Sequence, residues 1–516
     1  MPFKYLENMN HVFEFQEAKK NVDKTQEKIL LSIINKNKNT IYGVKHNFKD
    51  IKNIKDYQKK VPIIQYEDIE EYIELQKKGA QNILTKDKVI FFATTSGTTK
   101  KAKLIPVTKQ RTQSFKKELS LWSFKFLRKY PKVLSGKLLY FAGPYKEGKT
   151  EANIMYGSIS GYLAYKTPWF AKRKLAFLPK IYNEMNFNKK IKQIAKIAIR
   201  TRITQIGFAF PVEVLMFFDY IEKNKEKLIQ ELKEEGHWIK AKILAKKEFK
   251  PLKLWPHLQV INCIKSPQNK PYLDALEKRV PGVLINDPGI YSSEGRISLC
   301  LKPGAEAGII PVTINFFEFR DIETKKIKLA GQLKKGKKYE VIMTTPEGLY
   351  RYEMNDIIEV VDFKETIPIV KFYERANYLN IAGELAHEKI LMETMEETKK
   401  QTNTELRGYT YAPHTTSEKE KPRYNIIIEP KKTMTQEKQK KFLETIEKNL
   451  QKNIQDYRQM RNEFGRIQKP ILTILKKGSY DAFDKKRLTR GGQQKPIIIA
   501  KSPDFTEKFK IETQIR

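Results

Sequence analysis

Apolar and polar residues follow two different periods along the chain, and these periods predict helices and strands in alternation. Helical spacing occurs in KTQEKILLSIINKNK and from Thr108 to Tyr130. Short apolar runs flanked by turn-forming residues predict buried strands in DKVIFFATTSG, GKLLYFAG, LQVINCIK, GVLINDPGIYSSEG and AGIIPVTINFFEF. Strands that alternate with helices in this way predict an α/β core with a mixed or largely parallel sheet.

The pattern changes in the last third of the chain. KKYEVIMTTPEGLYRYEMNDIIEVVDF predicts a strand, a turn and a second strand. After FYERANYLNIAG there follow a helix, the apolar run YNIIIEP, the helical TQEKQKKFLETIEKNLQKNIQDYRQMR and the run PILTILKKG. The sequence therefore predicts a large domain over 1–375 and a small α+β domain over 376–516, joined near Arg375.

The composition is typical of a globular protein without disulfide bonds. Hydrophobic residues make up 40% of the 516 residues, which is enough to form several cores. Cys263 and Cys300 have no paired spacing and the six histidines are scattered, so we expect neither a disulfide framework nor a transition-metal site. The sequence has no signal-peptide pattern and no apolar run of about eighteen residues, so we expect a cytoplasmic protein without a membrane span.

The formal net charge of +39 is compatible with nucleic-acid binding. However, the excess is mostly Lys, spreads over the whole length and is interleaved with acidic residues, as in KNKEKLIQELKEEG. This distribution favours a general surface bias, and we expect no specific nucleic-acid partner. The most membrane-like segment is Asn188–Ile206, which we interpret as a basic helix. Its apolar stripe could lie on a membrane or pack on the core: Ile191, Ile194, Ala195 and Ala198.

The stretch FFATTSGTTKKAKLIPVT combines a predicted strand with hydroxyls, one glycine and three lysines. Gly97 permits close backbone approach, and neighbouring hydroxyl and N–H groups can donate to phosphate oxygens. The stretch does not match the GxxxxGK[ST] pattern of a Walker A loop. Two interpretations stay open at this point: a loop that wraps nucleotide phosphates, or a polar hairpin between two strands.

Two further segments offer carboxylates. DPGIYSSEG follows a predicted strand and contains Glu294, which could be one of the carboxylates that hold Mg²⁺ together with phosphate oxygens. GLYRYEMNDIIEVVD places Asp356 at a predicted turn that enters a strand, where it could accept hydrogen bonds from both ribose hydroxyls. Each also has a structural interpretation, Glu294 as a loop cap and Asp356 as a turn former.

The order of these motifs resembles a known family. A TSGTT…K.IP loop, an SSE loop, YRY followed by ND, and then F..R.N before a small C-terminal domain are similar to the Gretchen Hagen (auxin-responsive promoter) acyl-acid amido synthetases of the adenylate-forming superfamily. The resemblance extends from QEKILLSIINKNKNTIYGVKHNF and VPIIQYEDI through YGSISG to NIQDYRQMR and GGQQKPII. It implies a large N-terminal adenylation domain of mixed or parallel sheets and helices, and a small mobile α+β domain joined by a hinge.

The resemblance also implies roles for individual residues. It implies that Asp356 holds the ribose of ATP, and that Glu294 contacts the nucleotide and Mg²⁺. The residues implied to close over the ATP phosphates are Thr95, Ser96, Gly97, Thr98 and Thr99, and Tyr291 and Ser293 are implied to lie beside the nucleotide. Arg375 would reach the ribose or the α-phosphate, and Lys495 in QQKP would enter the site for adenylation, which makes both of them candidate catalytic residues.

The chain departs from the family pattern at four positions. Lys100 stands where a glycine is common after SGTT, and Leu385 stands where many members have a lysine in GEK. Asn355 replaces a glycine before Asp356, and because Asn tolerates positive φ we expect the turn to persist. Ile290 occupies the place of an adenine-stacking tyrosine. Either Ile290 or the adjacent Tyr291 could therefore cover adenine.

The resemblance implies a two-step ligase whose partners are small molecules. A carboxylic acid would form acyl-AMP, and an amine, expected to be that of an amino acid, would then take the acyl group and release AMP. A thiol acceptor such as coenzyme A is an alternative, as is a non-catalytic basic protein that binds nucleic acid or anionic lipid on the same scaffold. The acyl pocket could use YGSISGY (Tyr156–Tyr162) and FAFPVEVLMFF, although both could equally be core, and we expect a monomer.

Overall fold

A computed structural model describes residues 13–94, 103–184, 186–246, 248–266, 269–375, 378–379, 381–382, 384, 386–414, 420–463, 465–488, 496–500 and 502–515. The described residues form two compact units, one up to Tyr373 and the other from Glu374 onward. The domain boundary that the sequence predicts, 1–375 and 376–516, stays a prediction, as does a hinge at that point.

Strands and helices alternate in the larger unit as the periodicity predicts. A four-stranded sheet is parallel throughout, in the order Lys137–Tyr140, Ile203–Gly207, Val260–Asn262 and Leu284–Asn286. The helices of this unit are Val22–Asn37, Ile41–Lys45, Ile54–Lys60, Glu70–Lys77, Lys109–Lys129, Ile159–Lys166, Trp169–Lys172, Phe187–Arg200, Pro211–Lys223, Lys225–Glu234, Trp238–Leu244, Pro251–Leu254 and Lys270–Arg279. The helix predicted from Thr108 to Tyr130 is thus confirmed, with Thr108 and Tyr130 as its two caps.

Two mixed or antiparallel sheets complete the larger unit. One has the order Leu104–Thr108, Val89–Thr94, Met155–Gly157 and Gly148–Lys149. The other has the order Ile327–Lys328, Phe316–Asp321, Lys338–Thr344, Tyr352–Lys364, Ile367–Arg375 and Gly308–Ile309. The prediction of an α/β protein with mixed and parallel sheets is therefore confirmed.

The basic segment predicted as one helix over Asn188–Ile206 is shorter than expected. The helix covers Phe187–Arg200, and the following residues form the strand Ile203–Gly207, because β-branched residues there enter the parallel sheet. Its apolar stripe is fully buried: Ile191, Ile194, Ala195, Ala198 and Ile199. Of the two interpretations, packing on the core is therefore confirmed for this stripe.

The smaller unit is an α+β fold with its own core. Its four-stranded sheet has the order Leu406–His414, Arg423–Pro430, Ile471–Leu475 and Ile511–Ile515, and Tyr378–Leu379 pairs with Ala386–His387. The helices are Glu388–Gln401, Gln436–Asn453, Gln455–Arg458 and Ser479–Leu488. The long helix predicted in the second half of this unit is interrupted at Ile454. In the described parts of both units, no helix is both long and apolar enough to cross a membrane.

Gln26 joins the helix Val22–Asn37 to the six-stranded sheet. Its Nε2 donates to Val312 O at 2.6 Å and Asn315 O at 2.8 Å, and its Oε1 accepts from Phe317 N at 2.7 Å. The side chain is only 1% exposed, so water cannot replace these hydrogen bonds.

We expect Gln26→Leu to lower the free energy of unfolding by about 3 kcal/mol, because each buried polar group left unpaired costs about 1–3 kcal/mol. Urea unfolding followed by circular dichroism measures the change. Lys28→Ala, on the exposed side of the same helix, is the control and should change stability by less than about 0.5 kcal/mol. Equal stability of the two variants would contradict the role assigned to Gln26.

Candidate active site

The predicted phosphate loop connects two antiparallel strands. Val89–Thr94 and Leu104–Thr108 pair with Thr94 opposite Leu104, so the connection leaves and re-enters the sheet at one point. The hairpin that the sequence allows is therefore present, and the phosphate-binding role of its tip stays a prediction. The tip lies outside the described residues, and with it Thr95, Ser96, Gly97, Thr98, Thr99 and Lys100.

The SSE loop folds back on itself and contacts the end of the strand that precedes the phosphate loop. Ser292 N and Oγ both donate to Gly295 O, at 3.0 and 3.1 Å, which closes a tight turn. Ser293 Oγ donates to Thr94 O at 3.0 Å. Because Thr94 immediately precedes Thr95, this hydrogen bond brings together two of the segments that the sequence predicts to bind nucleotide.

Glu294 lies in this turn and is half-buried. In the described residues no group of three or more His, Cys, Asp or Glu side chains could hold a metal ion. Magnesium in nucleotide sites needs only one or two carboxylates, because phosphates and water supply the remaining oxygen ligands. Glu294, next to the hydroxyl of Ser293, fits such a site, and its role as a metal ligand stays a prediction.

Asp356 lies within a strand rather than at a turn that enters one, which corrects the sequence interpretation. Where Lys338–Thr344 pairs with Tyr352–Lys364, the register shifts, so that three residues of the second strand lie opposite one residue of the first. Asp356 lies at this bulge. Asn355 has φ of +55°, so it adopts the positive φ that the sequence predicts, but in a bulge of the strand and not in the expected turn. Bulges commonly change the direction of the side chains beside them, and Asp356 is 6% exposed.

The SSE loop packs on the sheet that carries Asp356. A Cβ atom added to Gly295 would lie 2.6 Å from Met343 Cε, so the loop lies directly against the Met343 side chain of this sheet. Met343 pairs with Tyr352 on the strand of Asp356. The structure therefore brings the phosphate hairpin and the SSE loop into contact, and places the loop one strand away from the strand that bears the predicted ribose ligand.

A buried carboxylate that sequence reasoning missed holds the SSE loop in place. Glu118 is 1% exposed and accepts from Arg296 Nε at 2.8 Å and from Arg111 Nη1 at 3.3 Å. Arg296 Nη1 also donates to Pro288 O at 2.9 Å, so its guanidinium spans both ends of the loop. Glu118 is a positioning residue, because it acts on the loop through Arg296 and not on a ligand.

Tyr291 packs against the same two arginines. The guanidinium carbons of Arg296 and Arg111 lie 4.7 and 5.4 Å from its ring centroid, within the range of cation–π attraction. Burial raises the pKa of the Tyr291 phenol, so the hydroxyl stays neutral. The side chains of Ile290 and Tyr291 are both half-buried, and their contact with adenine stays a prediction.

A second ionisable group lies at the end of the phosphate-loop strand. Thr94 Oγ1 donates to Glu147 Oε1 at 3.3 Å, and burial raises the pKa of Glu147 to about 7. Lys190, 8% exposed, contributes nearby positive charge, and burial lowers its pKa to about 8. The sequence gives no signal for this pair, because GPYKEGK resembles an ordinary polar turn.

The two segments suggested for the acyl pocket contribute mainly to the core. The ring of Tyr162 stacks on Phe91 with centroids 3.9 Å apart. A Cβ on Gly161 would lie 2.1 Å from Gly143 O, so this helix packs against backbone. In the helix Pro211–Lys223 the inward residues have no exposed surface: Val214, Phe217, Phe218 and Ile221.

The remaining predicted residues come late in the chain, and of these the structure describes only Arg375. Arg375 is the last residue of the strand Ile367–Arg375. Lys495 and Leu385 lie outside the described residues. The glutamate of GEL, Glu384, is completely buried and accepts from Ile381 N, Ala382 N and Tyr424 Oη at 2.8, 2.9 and 3.0 Å, so it has a structural role. The catalytic roles predicted for Arg375 and Lys495 stay predictions.

Three family models match successive parts of the chain. The GH3 family N-terminal domain matches residues 12–285, the GH3 family central domain residues 308–375 and the GH3 family C-terminal domain residues 389–504. The first match includes the phosphate hairpin and the central match includes Asp356, whereas the SSE loop lies between these two matches.

Sequences and solved structures agree with these matches. The chain is 24% identical over 430 residues to indole-3-acetic acid-amido synthetase GH3.4 of Arabidopsis thaliana. The aligned region covers 74% of this chain and 72% of that protein. It is 23% identical over 414 residues to jasmonoyl-L-amino acid synthetase JAR4 of Nicotiana attenuata, covering 71% of each.

Among solved structures, GH3.15 acyl acid amido synthetase matches with a TM-score of 0.82 at 20% identity, covering 97% of this chain and 96% of that one. The 2-hydroxyisobutyryl-CoA ligase structure in the postadenylation state matches with a TM-score of 0.51 at 12% identity, covering 88% and 86%, so the two share the adenylate-forming fold. With domain models matched in order along most of its length, the chain belongs to the GH3 family.

Proposed function

We propose that the protein is an ATP-dependent acyl-acid amido synthetase that joins a carboxylic acid to the amine of an amino acid. The observation that carries this proposal is the hydrogen bond from Ser293 to Thr94, which brings the SSE loop to the base of the phosphate hairpin. Membership of a family whose similar proteins are named amido synthetases supports the choice of reaction.

The reaction has two steps. A carboxylate oxygen attacks the α-phosphorus of ATP, pyrophosphate leaves, and the acid becomes a mixed anhydride with AMP. The amine nitrogen, once deprotonated, then attacks the carbonyl carbon, the C–O bond to AMP breaks, and the amide is released. The first step is needed because a carboxylate is a poor electrophile, whereas AMP is a good leaving group.

Each residue's proposed role follows from the part of ATP, or the developing charge, that it would contact. Hydroxyl and N–H groups of Thr95–Thr99 hold the phosphates, and Asp356 holds the ribose. Glu294 would hold Mg²⁺, which neutralises phosphate charge when it is bound. Arg375 and Lys495 place positive charge where negative charge develops on the α-phosphate. The ligand roles of Tyr291 and Ser293 belong to the same proposal.

The second unit supplies the conformational part of the proposal. A domain over 376–516 that turns about the Arg375 region would carry Lys495 into the site for adenylation and out of it for amide formation. Closure of this kind protects a hydrolysable anhydride from water. We propose that the enzyme acts as a cytoplasmic monomer.

The test of the function is ATP–pyrophosphate exchange with pools of carboxylic acids. We expect exchange that depends on one class of acid, followed by product formation with amino acids and not with coenzyme A. Exchange with product only from coenzyme A would move the protein to the acyl-CoA ligases, whose fold it shares. No exchange with any acid, combined with salt-sensitive nucleic-acid binding, would instead support the non-catalytic basic protein.

Lys495→Ala should slow the exchange about 100-fold or more, because removal of a charge aimed at a developing anion typically costs 10²–10³ in rate. The thermal midpoint of unfolding should stay close to that of the wild type. Lys510→Ala, an exposed lysine of the same unit, is the control and should exchange normally. An unchanged rate for Lys495→Ala would remove this residue from the mechanism.

Glu118→Gln tests the positioning of the SSE loop. We expect the KM for ATP to rise about tenfold, equivalent to about 1.4 kcal/mol, with the KM for the acid nearly unchanged. The loss of a buried charge should also lower the thermal midpoint.

Glu231→Gln is the control for this variant. Glu231 also bridges two cations, with Lys192 and Lys196 at 3.0 and 3.1 Å, but on a helical surface. It should leave both KM values unchanged. Equal rises in the KM for ATP and for the acid in Glu118→Gln would show a general structural effect and contradict the specific role.

A further inference from the structure

One face of the larger unit exposes large apolar side chains among basic residues. Trp169 is 71% exposed, Leu178 65%, Leu134 46% and Tyr165 37%. We refer to these four residues and the nearby basic residues, up to Lys180, as the 165–178 face.

Backbone hydrogen bonds make this face continuous. Leu138 N donates to Lys174 O at 2.7 Å and Ala176 N donates to Leu138 O at 2.8 Å, so the segment after Trp169 lies along the edge of the parallel sheet. Lys174 Nζ also donates to Leu134 O at 2.7 Å. Leu134 is therefore next to the 174–176 segment in space, although forty residues separate Leu134 from Lys174 in the sequence.

Basic residues far outnumber acidic ones in the sequence that contains this face. Residues 119–212 contain eighteen Lys and Arg but only three Asp and Glu, and neither 119–146 nor 152–183 contains an acidic residue. The charge is therefore not the even surface bias that the whole-chain composition indicates. The basic residues of the face itself are Lys166, Lys172, Arg173, Lys174 and Lys180.

The exposed rings and the cations are paired with each other. Lys166 Nζ and Lys172 Nζ lie 5.4 and 5.3 Å from the ring centroid of Tyr165, and the guanidinium of Arg173 lies 5.4 Å from the ring of Trp169. Aromatic rings flanked by Lys and Arg are typical of the headgroup layer of a membrane, where the rings reach the acyl boundary and the cations meet lipid phosphates.

We propose that the 165–178 face docks on the surface of an anionic membrane, with Trp169, Leu134 and Leu178 entering the headgroup layer. The +39 charge supplies the long-range attraction, and the exposed apolar side chains supply the contact. This peripheral binding is independent of the proposed ligase reaction and needs no helix that spans the bilayer.

Two observations favour a membrane over a nucleic acid. Exposed leucines bury surface among acyl chains, whereas single-stranded nucleic acids are bound mainly by stacking on free aromatic faces. One face of Tyr165 is already occupied, because its ring stacks on Tyr145 at 4.5 Å with an angle of 15°. The nearby basic helix Phe187–Arg200 is not the membrane element, since its apolar stripe is buried.

Vesicle co-sedimentation of the full chain tests the proposal. We expect binding to vesicles of phosphatidylcholine mixed with phosphatidylserine, little binding to phosphatidylcholine alone, and a loss of binding as salt is raised. The variant Trp169→Ala/Leu178→Ala should bind at least tenfold more weakly, and Arg173→Glu/Lys174→Glu likewise. All four side chains are exposed, so the variants should unfold at the wild-type temperature.

Two control variants match these changes elsewhere on the larger unit. Trp238→Ala/Ile239→Ala removes an equally exposed apolar pair, and Lys334→Glu/Lys335→Glu makes the same change of charge. Both should bind vesicles at least half as well as the wild type. Loss of binding in these controls but not in the face variants would overturn the proposal.

Binding of a fluorescent single-stranded oligonucleotide tests the alternative, a nucleic-acid surface. Tight binding of the oligonucleotide by the wild type without binding to anionic vesicles would overturn the proposal in favour of a nucleic-acid surface. Equal binding to vesicles with and without phosphatidylserine would overturn it as well, because the charge of the face would then contribute nothing. Exchange activity of the face variants should match the wild type, which separates this result from the test of the ligase.

Discussion

The candidate site depends on one buried carboxylate held between two guanidinium groups. Glu118 lies on the helix Lys109–Lys129, and its hydrogen bonds with Arg296 and Arg111 fix the loop that carries Ser293 and Glu294. A buried charge is costly unless it is paired, so the three residues constrain each other strongly. Because the helix Lys109–Lys129 follows the phosphate hairpin directly, this contact joins consecutive parts of the chain to a loop almost two hundred residues away.

The hydrophobic periodicity predicted helices and strands correctly where a segment forms a single element. The helix Lys109–Lys129 and the strand Val89–Thr94 are found where the pattern places them. The prediction failed in Asn188–Ile206, where apolar residues continue past Arg200 and the change from helix to strand depends on the neighbouring sheet. The residue pattern of a single segment does not show which sheet that segment will pack against.

For the candidate site, the sequence predicted which segments take part but not their local geometry. Motif order identified the segments, and the hydrogen bond from Ser293 to Thr94 joins two of them. The bulge at Asp356 was not predictable, because three residues opposing one is a property of the pair of strands. Glu118 was missed for a similar reason. In SFKKELSLW a glutamate among lysines indicates a solvent-facing helix surface. Its burial depends on Arg296, which comes from a distant part of the chain.

The contact between the SSE loop and the hairpin has an asymmetry that bears on how sequences of this kind can diverge. It joins a side-chain hydroxyl at position 293 to a main-chain carbonyl at position 94. Every amino acid provides that carbonyl, whereas only a few provide a short side-chain donor. This contact therefore constrains the side chain at position 293, which must be serine or threonine, and places no constraint on the side chain at position 94, whose hydroxyl has a separate partner in Glu147.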